Sequence, residues 1–178
     1  MAAPTILITR AMSDSEELRE QLQGLGCRII HEPLTDIFLN HTVRTELSQA
    51  ITSDPDAIIV TSRYGVRALA SLSQYRDMSL VCVGAATAEV ALSLGFSRVC
   101  IAGGSVEHLV NYIVDAFDPG SNFLYLSAKH VRADLEEILS THGMKVERIT
   151  LYEAVASERL SDTLLEQLKR GHIDAATF

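Results

Sequence analysis

The chain has 178 residues, which is enough for one large domain or two small ones. Its content of 47% hydrophobic and 21% charged residues is ordinary for a soluble globular protein, and no apolar run reaches the roughly 18 residues that span a bilayer. The formal net charge of −8 argues against a nucleic-acid partner, because such proteins carry basic surfaces.

Short apolar strands alternate with amphipathic helices from the first residues onward. The first helical pattern, "SDSEELREQLQGLG", offers Ser13 or Asp14 as the N-cap and Gly26 as the stop signal. Such alternation is typical of parallel βαβ units, so the sequence predicts an α/β fold. The expected strands are Thr5–Thr9, Arg28–His31, Ala57–Thr61, Leu80–Val83, Arg98–Ile101, Asn122–Leu126, Val146–Leu151 and Asp174–Phe178.

An internal repeat organises these elements. At an offset of 117 residues, the triplet from Ile6 matches the triplet from Phe123, and at an offset of 118 Asp56 and Ala57 match Asp174 and Ala175. Any two βαβ units share some apolar periodicity, but two matches with nearly one offset favour a duplicated architecture. The order of the copies predicts a continuous middle domain, residues 36–154, and a discontinuous domain from residues 1–35 and 155–178.

Polar residues and glycines follow several of the expected strands. In open parallel sheets, ligands bind outside the carboxyl ends of the strands, and helices that begin there direct N–H groups outward. Alternatively, the hydroxyls only cap helices, the arginines pair with surface acids, and the glycines only permit turns. The candidate binding residues are Arg10, Thr61, Ser62, Arg63, Gly84, Thr87, Ser105, Ser127 and Lys129.

These donors form a local cationic and neutral set in an acidic protein, which suits a polycarboxylate or a phosphate. We expect Arg10, Arg63, Lys129 and Arg132 to give one positive cleft. Motifs for several other chemistries do not occur: G-x-G-x-x-G after the first strand, a P-loop lysine, H-E-x-x-H and G-x-S-x-G. Histidine spacing supports no metal site.

The series "ILITR", "VTSRYGV", "VGAATAEVALSLG", "LEEILSTHGMKVERI" and "LYEAV" resembles the uroporphyrinogen-III synthase family along the whole chain. The resemblance implies two flavodoxin-like parallel α/β domains, the first discontinuous, joined by a two-stranded connector. It implies a lyase of haem and porphyrin biosynthesis that cyclises hydroxymethylbilane, a linear tetrapyrrole with carboxylate side chains. Water is lost and the terminal D ring is inverted, without a cofactor or a metal.

Tyr152 matches the tyrosine of the family's second connector, and the resemblance implies that it assists departure of the substrate hydroxyl. A phenol has a reference pKa of about 10 and is therefore a neutral hydrogen-bond donor at physiological pH. The alternative is that Tyr152 simply packs between the two expected domains. The turn "LSAKH" departs from the glycine-bearing turn of relatives, so Ser127 and Lys129 match the family less closely.

A non-catalytic α/β binding module of the flavodoxin or receiver type is the alternative hypothesis. A receiver should carry aspartates after its strands, whereas "ITRAMS" and "VTSRYG" carry none. Three cysteines without C-x-x-C spacing and an N-terminus unlike a signal peptide predict a cytoplasmic location. We also expect a monomer at full length, with a small-molecule substrate and neither a membrane nor a nucleic-acid partner.

The repeat also makes a prediction about the end of the chain. At the offset of 118, Phe178 corresponds to Val60, one residue before the counterpart of Thr61. We therefore expect a fragment of a chain that is longer by roughly 60 to 80 residues, with a complete middle domain and a partial discontinuous one. Such a fragment should show little synthase activity.

Overall fold

A computed structural model describes residues 3–177, except for the side chain of Ser13. The strands are β1 (Thr5–Ile8), β2 (Arg28–His31), β3 (Thr35–Leu39), β4 (Ala57–Val60), β5 (Ser79–Cys82), β6 (Arg98–Ile101), β7 (Asn122–Ala128), β8 (Lys145–Ala156) and β9 (Ala175–Thr177). The helices are α1 (Met12–Gly24), α2 (Arg44–Thr52), α3 (Arg63–Leu72), α4 (Ala85–Ser93), α5 (Val106–Ala116), α6 (Leu135–Ser140) and α7 (Asp162–Lys169). The predicted α/β class with parallel sheets is confirmed.

The chain divides into two compact units. The first unit combines the residues up to Phe38 with those from Ala154 onward, and the middle unit comprises Leu39–Glu153. In the first unit a three-stranded sheet has the order β2-β1-β9, and both strand pairs are parallel.

The middle unit contains the larger hydrophobic core. A six-stranded sheet has the order β3-β8-β7-β4-β5-β6, of which β4, β5, β6 and β7 lie wholly in this unit, and the pairs from β8 to β6 are parallel. Strand β4 is buried at all four positions, as expected for a parallel strand covered on both faces. On one face, Ile59, Val81 and Tyr125 pack against Leu109 and Ile113 of α5. This packing fixes the carboxyl ends of β4, β5 and β7, from which the candidate residues project.

The structure confirms the internal repeat in its strand register. Ala57 of β4 is paired with Phe123 of β7, and Ala175 of β9 is paired with Ile6 of β1, as the two offsets require. Both copies also contain β–α–β units with parallel strands, β1–α1–β2 and β7–α6–β8.

Several local expectations are wrong. Helix α1 begins at Met12 with Ala11 as its N-cap, so neither Ser13 nor Asp14 occupies the cap position. Gly26 follows the helix with a φ of 78°, where glycine is favoured. Strand β3 was not expected from the sequence.

The last three expected strands also have different ends. Strand β7 continues to Ala128 and β8 to Ala156, beyond their predicted ends. The predicted last strand included Phe178, which lies outside the described residues.

Within residues 3–177, no helix has both the length and the apolar composition needed to cross a membrane. The same residues contain no cluster of three or more His, Cys, Asp or Glu side chains suited to a metal ion.

Candidate functional site

A cavity of about 400 Å³ lies at the carboxyl ends of the strands, within the middle unit. Three residues of the predicted binding and catalytic set line it: Thr61 after β4, Ser105 before α5, and Tyr152 on β8. The remaining lining residues are Val83, Gly104, Val106, Tyr125, Ala128, His130, Val131, Arg132, Ala133 and Leu135. The position agrees with the general rule for ligand sites in open parallel sheets.

A short hydrogen bond joins the side chains of Ser62 and Tyr152 at this site. The Ser62 Oγ lies 2.7 Å from the phenol oxygen, and it also accepts the Gly65 N–H at 3.0 Å as the N-cap of α3. The Tyr64 ring lies 6.1 Å from the Tyr152 ring, between centroids, at an angle of 52°. Tyr152 is only 6% exposed, so its phenol is held by packing and by a serine that is itself fixed to a helix start.

An irregularity in the β7–β8 ladder determines where Tyr152 points. Ser127 is paired with Thr150, but the next residue, Ala128, is paired with Tyr152 instead of Leu151. Consecutive side chains of a regular strand point to opposite faces, and paired residues share a face, so Tyr152 lies on the face of Ala128 and not on that of Thr150. A bulge of this kind redirects a side chain, and such irregularities are frequent next to functional sites.

Tyr125 is a site residue that the sequence analysis missed. It lies inside β7, is 3% exposed, and its phenol oxygen is 3.5 Å from the Thr61 Oγ1. A tyrosine within an otherwise apolar strand could have identified it, because a buried phenol hydroxyl usually needs a hydrogen-bond partner. The structure thus places two phenols and two hydroxyls around one cavity.

Two glycines allow the backbones after β5 and β6 to approach each other. A Cβ atom on Gly84, the N-cap of α4, would lie 3.3 Å from the Gly104 Cα. Next to Gly104, the Ser105 Oγ accepts the His108 N–H at 3.1 Å and caps α5. Helix α4 has no side-chain cap, so no N-cap side chain accepts a hydrogen bond from its first N–H groups.

The other predicted binding residues do not line this cavity. Ser127 is 1% exposed and accepts a hydrogen bond from Arg148, because it lies within β7 and not in the turn that was expected. Thr87 is buried in the first turn of α4. Lys129 forms an ion pair with Glu153 at 3.0 Å, Arg63 is the first residue of α3, and Arg10 follows β1 in the first unit.

The charge around the cavity is cationic. Among the described lining residues Arg132 is the fixed cation and none is acidic, although the whole chain has a net charge of −8. Of the four cations expected to form a positive cleft, only Arg132 lines this cavity. The charge of Lys129 is also compensated in part by the carboxylate of Glu153. The arrangement favours an anionic ligand that also accepts hydrogen bonds from hydroxyls.

A larger cavity, of about 740 Å³, lies at the amino ends of β5 and β6. Its lining includes three aspartates, Asp54, Asp56 and Asp77, and two arginines, of which Arg76 donates to four backbone carbonyls. The acidic lining and the position at the opposite edge of the sheet make it a poor site for a polycarboxylate.

The fold and the cavity together define an α/β protein with parallel sheets and two compact units, with a polar site at the strand carboxyl ends of the middle unit. The family model for "Uroporphyrinogen-III synthase HemD" matches residues 16–178. The chain belongs to the uroporphyrinogen-III synthase family, as its sequence motifs predicted. A comparison with curated protein sequences gives no match.

Solved structures of this family have the same fold. A mutant uroporphyrinogen III synthase from the extremely thermophilic bacterium Thermus thermophilus is 17% identical, with a TM-score of 0.62 over 98% of this chain and 71% of that one. The uroporphyrinogen-III synthetase from Helicobacter pylori is also 17% identical, with a TM-score of 0.55 over 93% of this chain and 68% of that one.

Proposed function

We propose that this chain binds hydroxymethylbilane and cyclises it to uroporphyrinogen III, as a hydro-lyase of haem biosynthesis. The observation that supports this proposal most directly is the Tyr152 phenol, which lies 2.7 Å from the Ser62 hydroxyl at the wall of the cavity. None of the described residues that line this cavity is acidic. Membership of the family supports the choice of substrate, and the hydrogen-bonded phenol at the cavity wall supports a donor role for Tyr152 toward the departing hydroxyl.

The hydrogen bonds of Ser62 are compatible with a donor role for Tyr152. A serine hydroxyl has one proton and two acceptor lone pairs, and one lone pair already accepts the Gly65 N–H. When Ser62 donates its proton to the phenol oxygen, the phenol acts as the donor toward the substrate. The C–O bond of the hydroxymethyl group then breaks, and its electron pair leaves with the oxygen, which takes up the phenol proton and departs as water. The pyrrole nitrogen of the same ring loses its proton, and this proton restores the phenol.

The rest of the reaction depends on geometry. Loss of water leaves an azafulvene, and the substituted carbon of the far ring attacks it to form a spiro intermediate. That intermediate breaks and recloses with the ring inverted, whereas spontaneous closure gives the uninverted type I isomer. The protein's task is therefore to hold the two ends of the substrate in the orientation that leads to inversion.

We propose that the substrate carboxylates are bound by Arg132 and by the capped start of α5 at Ser105. Thr61 contributes a hydroxyl, and Arg10, Arg63, Lys129, Gly84, Thr87 and Ser127 remain proposed binding residues. Binding should weaken as salt is added, because exposed charges are screened over about 10 Å at ~0.1 M ionic strength. We further propose a cytoplasmic monomer without a cofactor.

Product analysis tests the proposed function. Enzymically generated hydroxymethylbilane is incubated with the chain, and the type III and type I isomers are separated. Because the spontaneous reaction gives type I, even a slow catalyst produces a measurable type III fraction, so the assay also suits a chain of low activity. Type I alone, at the rate of the protein-free control, would overturn the proposal.

A further inference from the structure

Arg148 is a partly buried arginine next to the site. It lies within the quoted stretch "LEEILSTHGMKVERI", but none of the roles proposed above involves it. It is paired with Tyr125 across the β7–β8 ladder, and its side chain is 24% exposed. Its Nε donates to the Ser127 Oγ at 2.8 Å, and its Nη2 donates to the carbonyls of Ala128 and Lys129 at 3.0 and 3.1 Å. The guanidinium thus binds the chain where the regular ladder of β7 ends.

These contacts lead directly to Tyr152. The last residue of β7 and the five residues after it, 128–133, are called here the rim segment, and all of them except Lys129 line the cavity. Lys129 of the rim segment donates its backbone N–H to the Tyr152 carbonyl at 2.9 Å. Arg148 therefore holds Lys129 in place through the Lys129 carbonyl. The N–H of Lys129 in turn holds the backbone of Tyr152 after the bulge.

We propose that Arg148 is a positioning residue for the cyclisation, which holds the rim segment and the Tyr152 backbone without touching substrate. This inference rests on the proposed function. An arginine suits the task because its planar fork presents several donors in a fixed geometry, whereas a lysine presents a single flexible ammonium group. Glu136 lies 3.9 Å from Nη1 and compensates part of the charge.

The first experiment needs no turnover. Hydrogen–deuterium exchange is measured on the wild-type chain and on Arg148→Met, and we expect the Lys129 amide to exchange at least about 10-fold faster in the variant. Arg76→Met is the matched control, because Arg76 also donates to backbone carbonyls but lies at the opposite edge of the sheet. Unchanged exchange at Lys129, or an equal increase in the control, would overturn the proposal.

The second experiment is kinetic. A displacement of about 1 Å at a reacting group costs up to ~10²-fold in rate, so we expect Arg148→Met to lower kcat by about 10- to 100-fold. KM should change less than about threefold, because the contacts that bind substrate equally in the ground state and the transition state are kept. Arg148→Lys, which should fold if Arg148→Met does not, should show the same loss to a smaller degree.

Double variants separate positioning from a general loss of structure. If Arg148 acts through Tyr152, then adding Arg148→Met to Tyr152→Phe lowers kcat little further. The Arg76→Met control should leave kcat per folded molecule unchanged in both backgrounds. Multiplicative losses for Arg148→Met and Tyr152→Phe would contradict the inference. A wild-type chain without turnover would contradict the proposed function instead, and the exchange experiment would then decide on Arg148.

Discussion

The aspartates that precede β4 and β9 make the same hydrogen bonds in two different surroundings. In the middle unit the Asp56 Oδ2 accepts the Asn122 N–H at 2.8 Å, while the Asp56 N–H is donated to the Asn122 carbonyl at 2.9 Å. In the first unit Asp174 makes the same two bonds to Thr5, at 2.7 and 2.9 Å. We call each of these pairs an aspartate clamp.

The two strands that follow the clamps differ in burial. All of β4 is buried between β5 and β7, whereas β9 is paired with β1 at one end of its sheet, and Ala175 and Ala176 are exposed. Register is therefore a local property, set by the clamp and the ladder, while burial depends on the neighbouring strands and helices. The hydroxyl groups of the cavity belong to the middle unit, and Tyr125 corresponds to Ile8 in the first unit.

The cysteines give the largest expected difference in reactivity. Burial, followed by the charge of Cys100, raises the pKa of Cys82 to about 12. At pH 8 only about 10⁻⁴ of such a thiol is thiolate, which is the reactive form. We expect iodoacetamide to label Cys82 at least ~10³-fold more slowly than the exposed Cys100, with a rate that rises as the pH approaches 12. Comparable rates for the two, measured by mass spectrometry, would show that the middle-unit core opens easily.

Tyr152→Phe tests whether the hydroxyls of the middle unit carry the chemistry. Loss of one donor to a developing charge typically costs about 10²- to 10³-fold in kcat, and we expect a loss of that size in type III formation. Folding should be unchanged, because the ring and its packing against Tyr64 remain. Tyr75→Phe is the control, since Tyr75 is 47% exposed and lies away from this cavity. Equal turnover in both variants would remove Tyr152 from the mechanism.

Ile58→Ala gives β4 the residue that β9 has at the corresponding position, Ala176. Ile58 is fully buried, and truncation of such a side chain costs about 2–5 kcal/mol of unfolding free energy. The loss should appear in the middle unit, as faster labelling of Cys82 but not of Cys27. The converse change, Ala176→Ile, should alter stability by less than about 1 kcal/mol, because the site is exposed. Similar costs at both positions would show that burial does not distinguish the strands.

Removing an aspartate clamp should have the smallest effect on stability. It also tests most directly whether each clamp acts only on its own pair of strands. Asp56→Ala and Asp174→Ala each remove one carboxylate acceptor from a backbone N–H, at a cost of about 1 kcal/mol. Hydrogen exchange should quicken at Asn122 in the first variant and at Thr5 in the second. Asp→Asn changes at the same positions keep an acceptor and should cost less. An effect of Asp56→Ala at Thr5 would contradict independent clamps.

Much of the fold was predictable because it depends on short-range patterns. Apolar runs gave eight of the nine strands within a few residues, and the repeat predicted the shared register of β4 and β9. The cap of α1 was mispredicted because side-chain preference is a weak signal where the backbone begins the helix at Met12. Strand β3 was missed because its five residues, "TDIFL", show no strong alternation of apolar and polar side chains.

The sequence by itself determined the α/β class, the repeat and the family, since each depends on residue order along the chain. It also named Thr61, Ser62, Ser105 and Tyr152 as candidates. Only the tertiary structure showed that a bulge after Ser127 redirects Tyr152 toward Ser62, and that Arg148 binds the rim segment. The physical reason is that these contacts join residues 20 to 90 positions apart, whose meeting depends on ladder register and side-chain direction.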